Sequence, residues 1–418
     1  MRRRLDRFVS SPLVRRATEA ILLGLLLVQV AVVALKTDFY QYDFRAYYLG
    51  PWLLWSDQDP YSMAALTERA EALGLADNNH PFIYAPYMLL VFGAIAWLPY
   101  KLAYWLWLTF QVAICVAIFR LTKRRLGVSA TMLMFLGALG LNGTTAACLR
   151  AGQLSLLLTL LVLLAITSLL DRKPGHSSAF VFVAAAIKLW PISFGGLRLF
   201  GERGRWVSRV APLLGLGLLL ASSKALVPKL WSGFGEAVRG LSSFGHAPEG
   251  AQDGSLLNLI NSIVHSGLGI RNPTVVTVVW LLTALGIGGA TLARVHSGVK
   301  RNGAWSLELG LAAVLAVILA LPRVVVYEWV LLIPAFAYVI EHRLSLAMRW
   351  VVLVIAAVPF LYVNRYLLGV NLEVPIEHLW QMPFAFSNVL LAIFVWVVLM
   401  RSPHASVETA RELSEPLD

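Results

Sequence analysis

The chain has 418 residues, 58% of them hydrophobic and only 14% charged, with a mean hydropathy of +0.71. A soluble protein carries roughly 25% charged residues, so the polar surface here is too small to face water on every side. The formal net charge is +12, but the basic residues sit in short clusters between apolar runs, "MRRRLDRF", "RLTKRRLG" (120–127), "RLFGERGRWVSR" (198–209) and "RVHSGVKR" (294–301). That is the positive-inside pattern of a polytopic membrane protein, and it argues against a nucleic-acid partner.

A helix crossing the hydrocarbon core needs about 20 residues. The first apolar run, 17–35, has no small-residue cleavage site after it and reads as a retained span with the basic N-terminus in the cytoplasm. It delivers 37–81 to the outer side. There "DFYQYDFRAYYLG" (38–50) places Asp38, Asp43 and Arg45 among aromatic residues, with Tyr47 and Tyr48 following. A carboxylate near an apolar boundary has its pKa raised and a nearby arginine lowers it, a balance suited to a base working near neutral pH. The alternative is an interfacial aromatic belt with an incidental salt bridge. "DQDPYS" (57–62) is turn chemistry, with Asp59 starting the turn and Tyr61 anchoring it. "NNHPFIYAPY" (78–87) adds His80, either a ligand or a loop histidine bonded to backbone, and Tyr84.

Two spans between 81 and 120 would put "LTKRRLG" outside, against its charge. The segment 81–99 is therefore expected as a helix at the outer interface, and 101–119 as the second span. Further spans are expected at 128–147, 154–170, 210–228, 273–293, 304–321, 328–341, 346–363 and 384–400. Between them, "LRAGQLS" (149–155) sets Arg150 and Gln153 at an outward junction, where they either grip a ligand or snorkel. The segment 177–197 lies between two basic stretches and is too short for two spans, so it reads as a broken hairpin lining a cavity. Its break holds Lys188, Trp190 and Pro191, and a lysine at that depth needs an anion or a wet cavity. The loops 229–272 and 364–383 face outward, the first with an amphipathic helix in the second half of 245–264, and the tail 401–418 is cytoplasmic. "LPRVVVYEWVLLIPA" (321–335) brings Arg323, Tyr327 and Glu328 to the outward end of a span, where Glu328 has Arg323 as a structural partner available.

Cys115 and Cys148 lie inside apolar stretches, so neither a disulfide framework nor a cysteine metal site is expected. The chain has no Walker loop, no GxGxxG before a helix, no HExxH and no GxSxG. No carboxylate cluster demands a divalent ion, and no cofactor is expected. A transporter or flippase of a lipid-linked saccharide would also use broken helices and buried charge, but the polar clusters here gather at the outward ends of spans. A polymerase or ligase of lipid-linked glycans would be expected to carry larger outward loops.

Taken in order, "YDFRAYY" with "GPWLLWSDQDPY", "FIYAPYMLLVFGAIAWLP", "AGQLSLLLTLLVLLA", "AAAIKLWP", "DGSLLNLI" and "LPRVVVYEWVLLIPA" resemble glycosyltransferase family 87, over residues 38 to about 335. The resemblance implies an all-α GT-C-like fold with about 10–12 membrane helices and interfacial helices in the first outward loop, forming one transmembrane domain over 1–418 in the cytoplasmic membrane. It also implies transfer of a hexose, mannose being the first candidate, from a polyprenyl-phosphate donor to a lipid or glycan acceptor on the outer face. The catalytic aspartate of that motif falls on Asp43, with Asp38 the weaker claimant. Arg45, Tyr48, His80, Tyr84, Arg150, Gln153, Lys188, Arg323, Tyr327 and Glu328 are the expected substrate-binding residues, with Lys188, Arg150 and Arg323 the cations for the phosphate. The chain departs from the family where "YPP" becomes "YAPY", where "NQS" becomes "DGS", and where some members carry a histidine in place of Tyr327 and Glu328.

Overall fold

The structure is a computed structural model that describes residues 12–37, 39–75, 80–201, 206–244, 255–357 and 386–401. Asp38, the loop 364–383, the first residues of "DGSLLNLI" and nearly all of the tail lie outside the described residues. Every regular element among the described residues is helical, as the hydropathy pattern requires.

Four helices are individually long and apolar enough to cross a bilayer. They are α1 (Pro12–Leu35), α5 (Tyr100–Leu126), α11 (Trp206–Leu226) and α14 (Pro273–Asn302). In α1, α11 and α14 only 11% of the most apolar window is buried in the protein, so these helices present leucine and valine to lipid. The chain is a multi-pass membrane protein. Between α1 and α5, the chain folds into α2 (Tyr42–Trp55), α3 (Met63–Ala72) and α4 (Tyr87–Ala96). In the segment 81–99 only α4 is an α-helix, and at about 1.5 Å per residue its ten residues cover half a bilayer's core. It buries Met88, Leu89, Phe92, Gly93 and Ala96 and leaves Leu90 and Trp97 exposed.

Two spans expected as continuous are broken instead. The run 128–147 is a pair, α6 (Ala130–Leu139) and α7 (Thr144–Ala151), bent by 60°. The bend follows from Gly140 in extended conformation and from Leu141 and Gly143 with positive φ. Next come α8 (Ser155–Leu170), α9 (Pro174–Ile187) and α10 (Pro191–Gly201). The break between α9 and α10 falls at Lys188–Trp190 as expected, because Lys188 is extended and Pro191 pushes its predecessor out of the helical region. Part of the 229–272 region, expected as an outward loop, is the helix α12 (Pro228–Phe244), held by its Phe234 and Gly233 against the Tyr61 ring. The expected amphipathic helix is α13 (Leu256–Ser262), capped by the Ser255 hydroxyl accepting from Asn258 N–H.

The run 328–341 begins as a 3₁₀ segment, Val326–Leu332, and turns α-helical only at α16 (Ile333–Arg343), where Pro334 takes a first-turn position. The remaining helices are α15 (Leu307–Ala320), α17 (Leu346–Ala357) and α18 (Ser387–Arg401). α8 and α15 are buried almost all round and form the centre of the bundle. They touch at Gly310, where an added Cβ would stand 2.8 Å from Ile166 Cγ2, a β-branched side chain with little rotamer freedom in a helix.

Gly310→Ala is accordingly expected to destabilise the bundle by about 1–3 kcal/mol through overpacking. Gly286→Ala on lipid-facing α14, where a Cβ meets nothing within 4 Å, should hold or raise stability by up to about 1 kcal/mol through helix propensity. Thermal unfolding of both variants in detergent checks the contrast, and equal midpoints would refute close α8–α15 packing.

Candidate active site

The site grows from the joint between α2 and α7. Gln41, at the N-terminus of α2, takes a left-handed conformation, and its N–H donates to Arg150 O at 2.5 Å. Opposite it, Gly152 has φ +75°, and a Cβ there would meet Phe44 Cβ at 2.8 Å and Gln41 Cβ at 3.1 Å. Only glycine lets the two backbones approach this closely. α5 fixes the same turn from the other side. Trp107 Nε1 donates to Gly152 O at 2.9 Å, and Gln111 Nε2 donates to Gln153 O at 3.1 Å.

With its backbone held, Gln153 is aimed at α2. Its Nε2 donates to Asp43 Oδ2 at 2.6 Å, and its Oε1 accepts from Tyr47 OH at 3.3 Å. Tyr47 OH also lies 2.9 Å from Tyr84 OH. Since Tyr47 has one proton and spends it on Gln153, Tyr84 is the donor in that pair. Burial pushes both phenols above the ordinary tyrosine range, so both keep the protons that this chain of donors needs. The hydrogen bonds then run one way, from Tyr84 through Tyr47 and Gln153 to Asp43. The other carboxylate oxygen, Oδ1, lies 2.9 Å from His80 Nδ1, and the Tyr42 ring packs against the imidazole at 4.7 Å between centroids.

A second pair closes the cluster. Lys188 Nζ lies 2.7 Å from Glu328 Oε1, while Glu328 Oε2 accepts from Val325 N–H at 3.1 Å. Glu328 thus pairs with Lys188 and not with Arg323, the partner available on sequence grounds. The 3₁₀ segment that carries Glu328 is pinned to α7, where Thr144 donates to Val326 O and the Cys148 thiol reaches Tyr327 O. Lys188 and Tyr327 are both within electrostatic reach of Asp43 and Tyr84.

Of the expected site residues, Asp43, His80, Tyr84, Gln153, Lys188, Tyr327 and Glu328 therefore meet in one polar cluster. Arg150 joins its edge, near enough to act on the Tyr42 phenol. Arg45 is fully buried on α2. Tyr48 points its hydroxyl to Leu98 O at 2.8 Å, and its neighbour Tyr47 takes the place beside Gln153. Arg323 is exposed and bonds to none of these side chains. Sequence reasoning passed over Gln41 and Gln111; Gln111 in the middle of an apolar span was the available signal. Among the described residues no group of three or more His, Cys, Asp or Glu side chains could hold a metal ion.

Gln153→Glu tests the clamp, because it sets a second carboxyl against Asp43 Oδ2. The introduced group loses its charge more readily when folded than when unfolded, so its folded pKa is raised. The variant is then least impaired in acid and loses stability as pH rises through that pKa. Its thermal midpoint should fall further below the wild type at alkaline than at mildly acidic pH. A deficit independent of pH would show that Gln153 does not face Asp43.

The model of glycosyltransferase family 87 matches residues 82–322, more than half of the chain. The match takes in Tyr84, Arg150, Gln153 and Lys188, starts after Asp43 and His80, and ends just before Arg323. No curated protein and no solved structure matches the chain. With an all-helical membrane fold and a family match over most of the bundle, the chain belongs to glycosyltransferase family 87 and is a membrane glycosyltransferase.

Proposed function

We propose that the protein moves a hexose, with mannose the first candidate, from a polyprenyl-phosphate donor to a lipid or glycan acceptor at the outer face of the cytoplasmic membrane. The observation that carries this reading is the setting of Asp43, a carboxylate with 9% side-chain exposure held by Gln153 and His80 within electrostatic reach of Lys188. A transfer from a phosphate leaving group needs an anionic group where the acceptor proton departs and a cation where phosphate charge grows. The cluster supplies both within a few side chains.

In its simplest form the reaction is a single displacement. The acceptor hydroxyl oxygen attacks the anomeric carbon, its proton is drawn off by Asp43, and the bond from that carbon to the phosphate oxygen breaks with both electrons leaving on polyprenyl phosphate. Inversion at the anomeric centre follows. Lys188, kept in place by Glu328, meets the phosphate, with Arg150 and Arg323 the supporting cations. Tyr84, Gln153 and Tyr327 shape the sugar subsite, while Arg45 and Tyr48 support α2 from within. The exposed apolar faces of α1, α11 and α14 keep the chain in the bilayer in which a polyprenyl donor resides.

The reading is tested with membranes containing the full chain and radiolabelled polyprenyl-phosphate mannose and glucose. Asp43→Asn is expected to lower turnover by about 10²–10⁴-fold with donor binding nearly unchanged; full turnover by this variant would exclude Asp43 from the chemistry. Lys188→Ala should weaken donor binding by about tenfold or more, the loss expected of a hydrogen bond between charged groups. Unchanged donor affinity would make the Lys188–Glu328 pair purely structural.

A further inference from the structure

Each oxygen of Asp43 already has a partner, Oδ1 in His80 Nδ1 at 2.9 Å and Oδ2 in Gln153 Nε2 at 2.6 Å, and the side chain is only 9% exposed. His80 stands outside it with 43% of its side chain exposed. An ionised carboxylate only accepts hydrogen bonds, so the hydrogen between them belongs to Nδ1. In the neutral ring this leaves the lone pair on Nε2, an atom with no hydrogen bond among the described residues. The Tyr42 ring, tilted by 43° against the imidazole, limits its rotation. A buried carboxylate fixing the tautomer of a histidine whose other nitrogen is free is the arrangement that makes imidazole a base.

We propose that His80 is a catalytic residue and that the acceptor proton goes to its Nε2, with Asp43 orienting the ring and balancing the charge that forms on it. The inference rests on the glycosyltransfer reading above and replaces that reading's simplest proton acceptor. As the acceptor oxygen bonds to the anomeric carbon, its hydrogen passes to Nε2, and the carbon–oxygen bond to phosphate breaks with its electron pair on the leaving polyprenyl phosphate. The imidazolium sits against the Asp43 carboxylate until the exposed edge of the ring returns its proton to water. The match to the family begins only after His80, at residue 82, so the assignment stands on this geometry alone.

The competing role for His80 is a prop that merely holds Asp43 in place. His80→Asn separates the two, because the asparagine amide N–H can replace Nδ1–H toward Asp43 while nothing replaces Nε2. Release of polyprenyl phosphate from radiolabelled polyprenyl-phosphate mannose and glucose is followed in membranes containing the full chain, with thermal unfolding as the check on folding. Expected are a loss of about 100-fold or more in turnover for His80→Asn, a donor KM close to that of the wild type, and partial recovery of His80→Ala by added imidazole. Turnover of His80→Asn within a few-fold of the wild type would overturn the proposal and leave His80 a positioning residue. If the wild type itself releases nothing from either donor, the glycosyltransfer reading fails and the dyad fails with it.

Discussion

The hydrogen bond from Gln153 to Asp43 ties α2 to the membrane bundle, and the geometry of the site depends on it. Gln153 can make it only because its own backbone is immobile. Gly152 lets α7 and α2 touch, Trp107 and Gln111 of α5 take the carbonyls of the turn, and Gln41 donates back across the joint. Near lipid an unpaired backbone group costs several kcal/mol. A turn at such a place therefore needs partners from neighbouring helices, and these partners also fix the side chain that leaves the turn. The constraint that satisfies the backbone thus also presets the Asp43 carboxylate.

Polar groups in the cluster are shared in series. Tyr84, Tyr47 and Gln153 form a directed chain whose only terminus able to accept without donating is a carboxylate. Such a chain leaves the amide of Gln153 one orientation, with Nε2 toward Asp43 and Oε1 toward Tyr47. The Lys188–Glu328 pair serves a comparable end on the other side. A lone lysine between α9 and α10 would be costly to keep charged, whereas one held by Glu328, itself held by Val325 N–H, keeps its charge and its position. Two broken elements, the α9–α10 junction and the 3₁₀ segment before α16, supply this pair. Breaks of this kind place polar atoms at depths where a continuous helix would offer only side chains on its faces.

The membrane class, the basic clusters between apolar runs and the break at Lys188–Pro191 were all legible in the sequence, because each is a one-dimensional property of composition, charge or proline placement. Asp43, Gln153 and Lys188 could be named for the same reason: a polar residue beside or within an apolar run is visible without coordinates. The bend between α6 and α7 was not legible, since 128–147 reads as a continuous apolar run and the positive φ at Leu141 leaves no mark in hydropathy. Nor was the helix α12, which falls in the 229–272 region read as loop.

Tertiary structure alone decided which neighbour in "RAYY" faces the Gln153–Asp43 pair. Tyr47 and Tyr48 are equivalent in sequence, but successive helix positions point about 100° apart, and packing against Phe92 turns Tyr47 toward Gln153 while Tyr48 ends on Leu98 O. It likewise decided that Glu328 meets Lys188, a residue 140 positions away, and not the nearby Arg323. Sequence determined that this protein lives in a membrane and which polar residue types it keeps beside and within its apolar runs. Their pairing depends on backbone breaks and close helix contacts between distant segments, and such contacts exist only once the chain has packed.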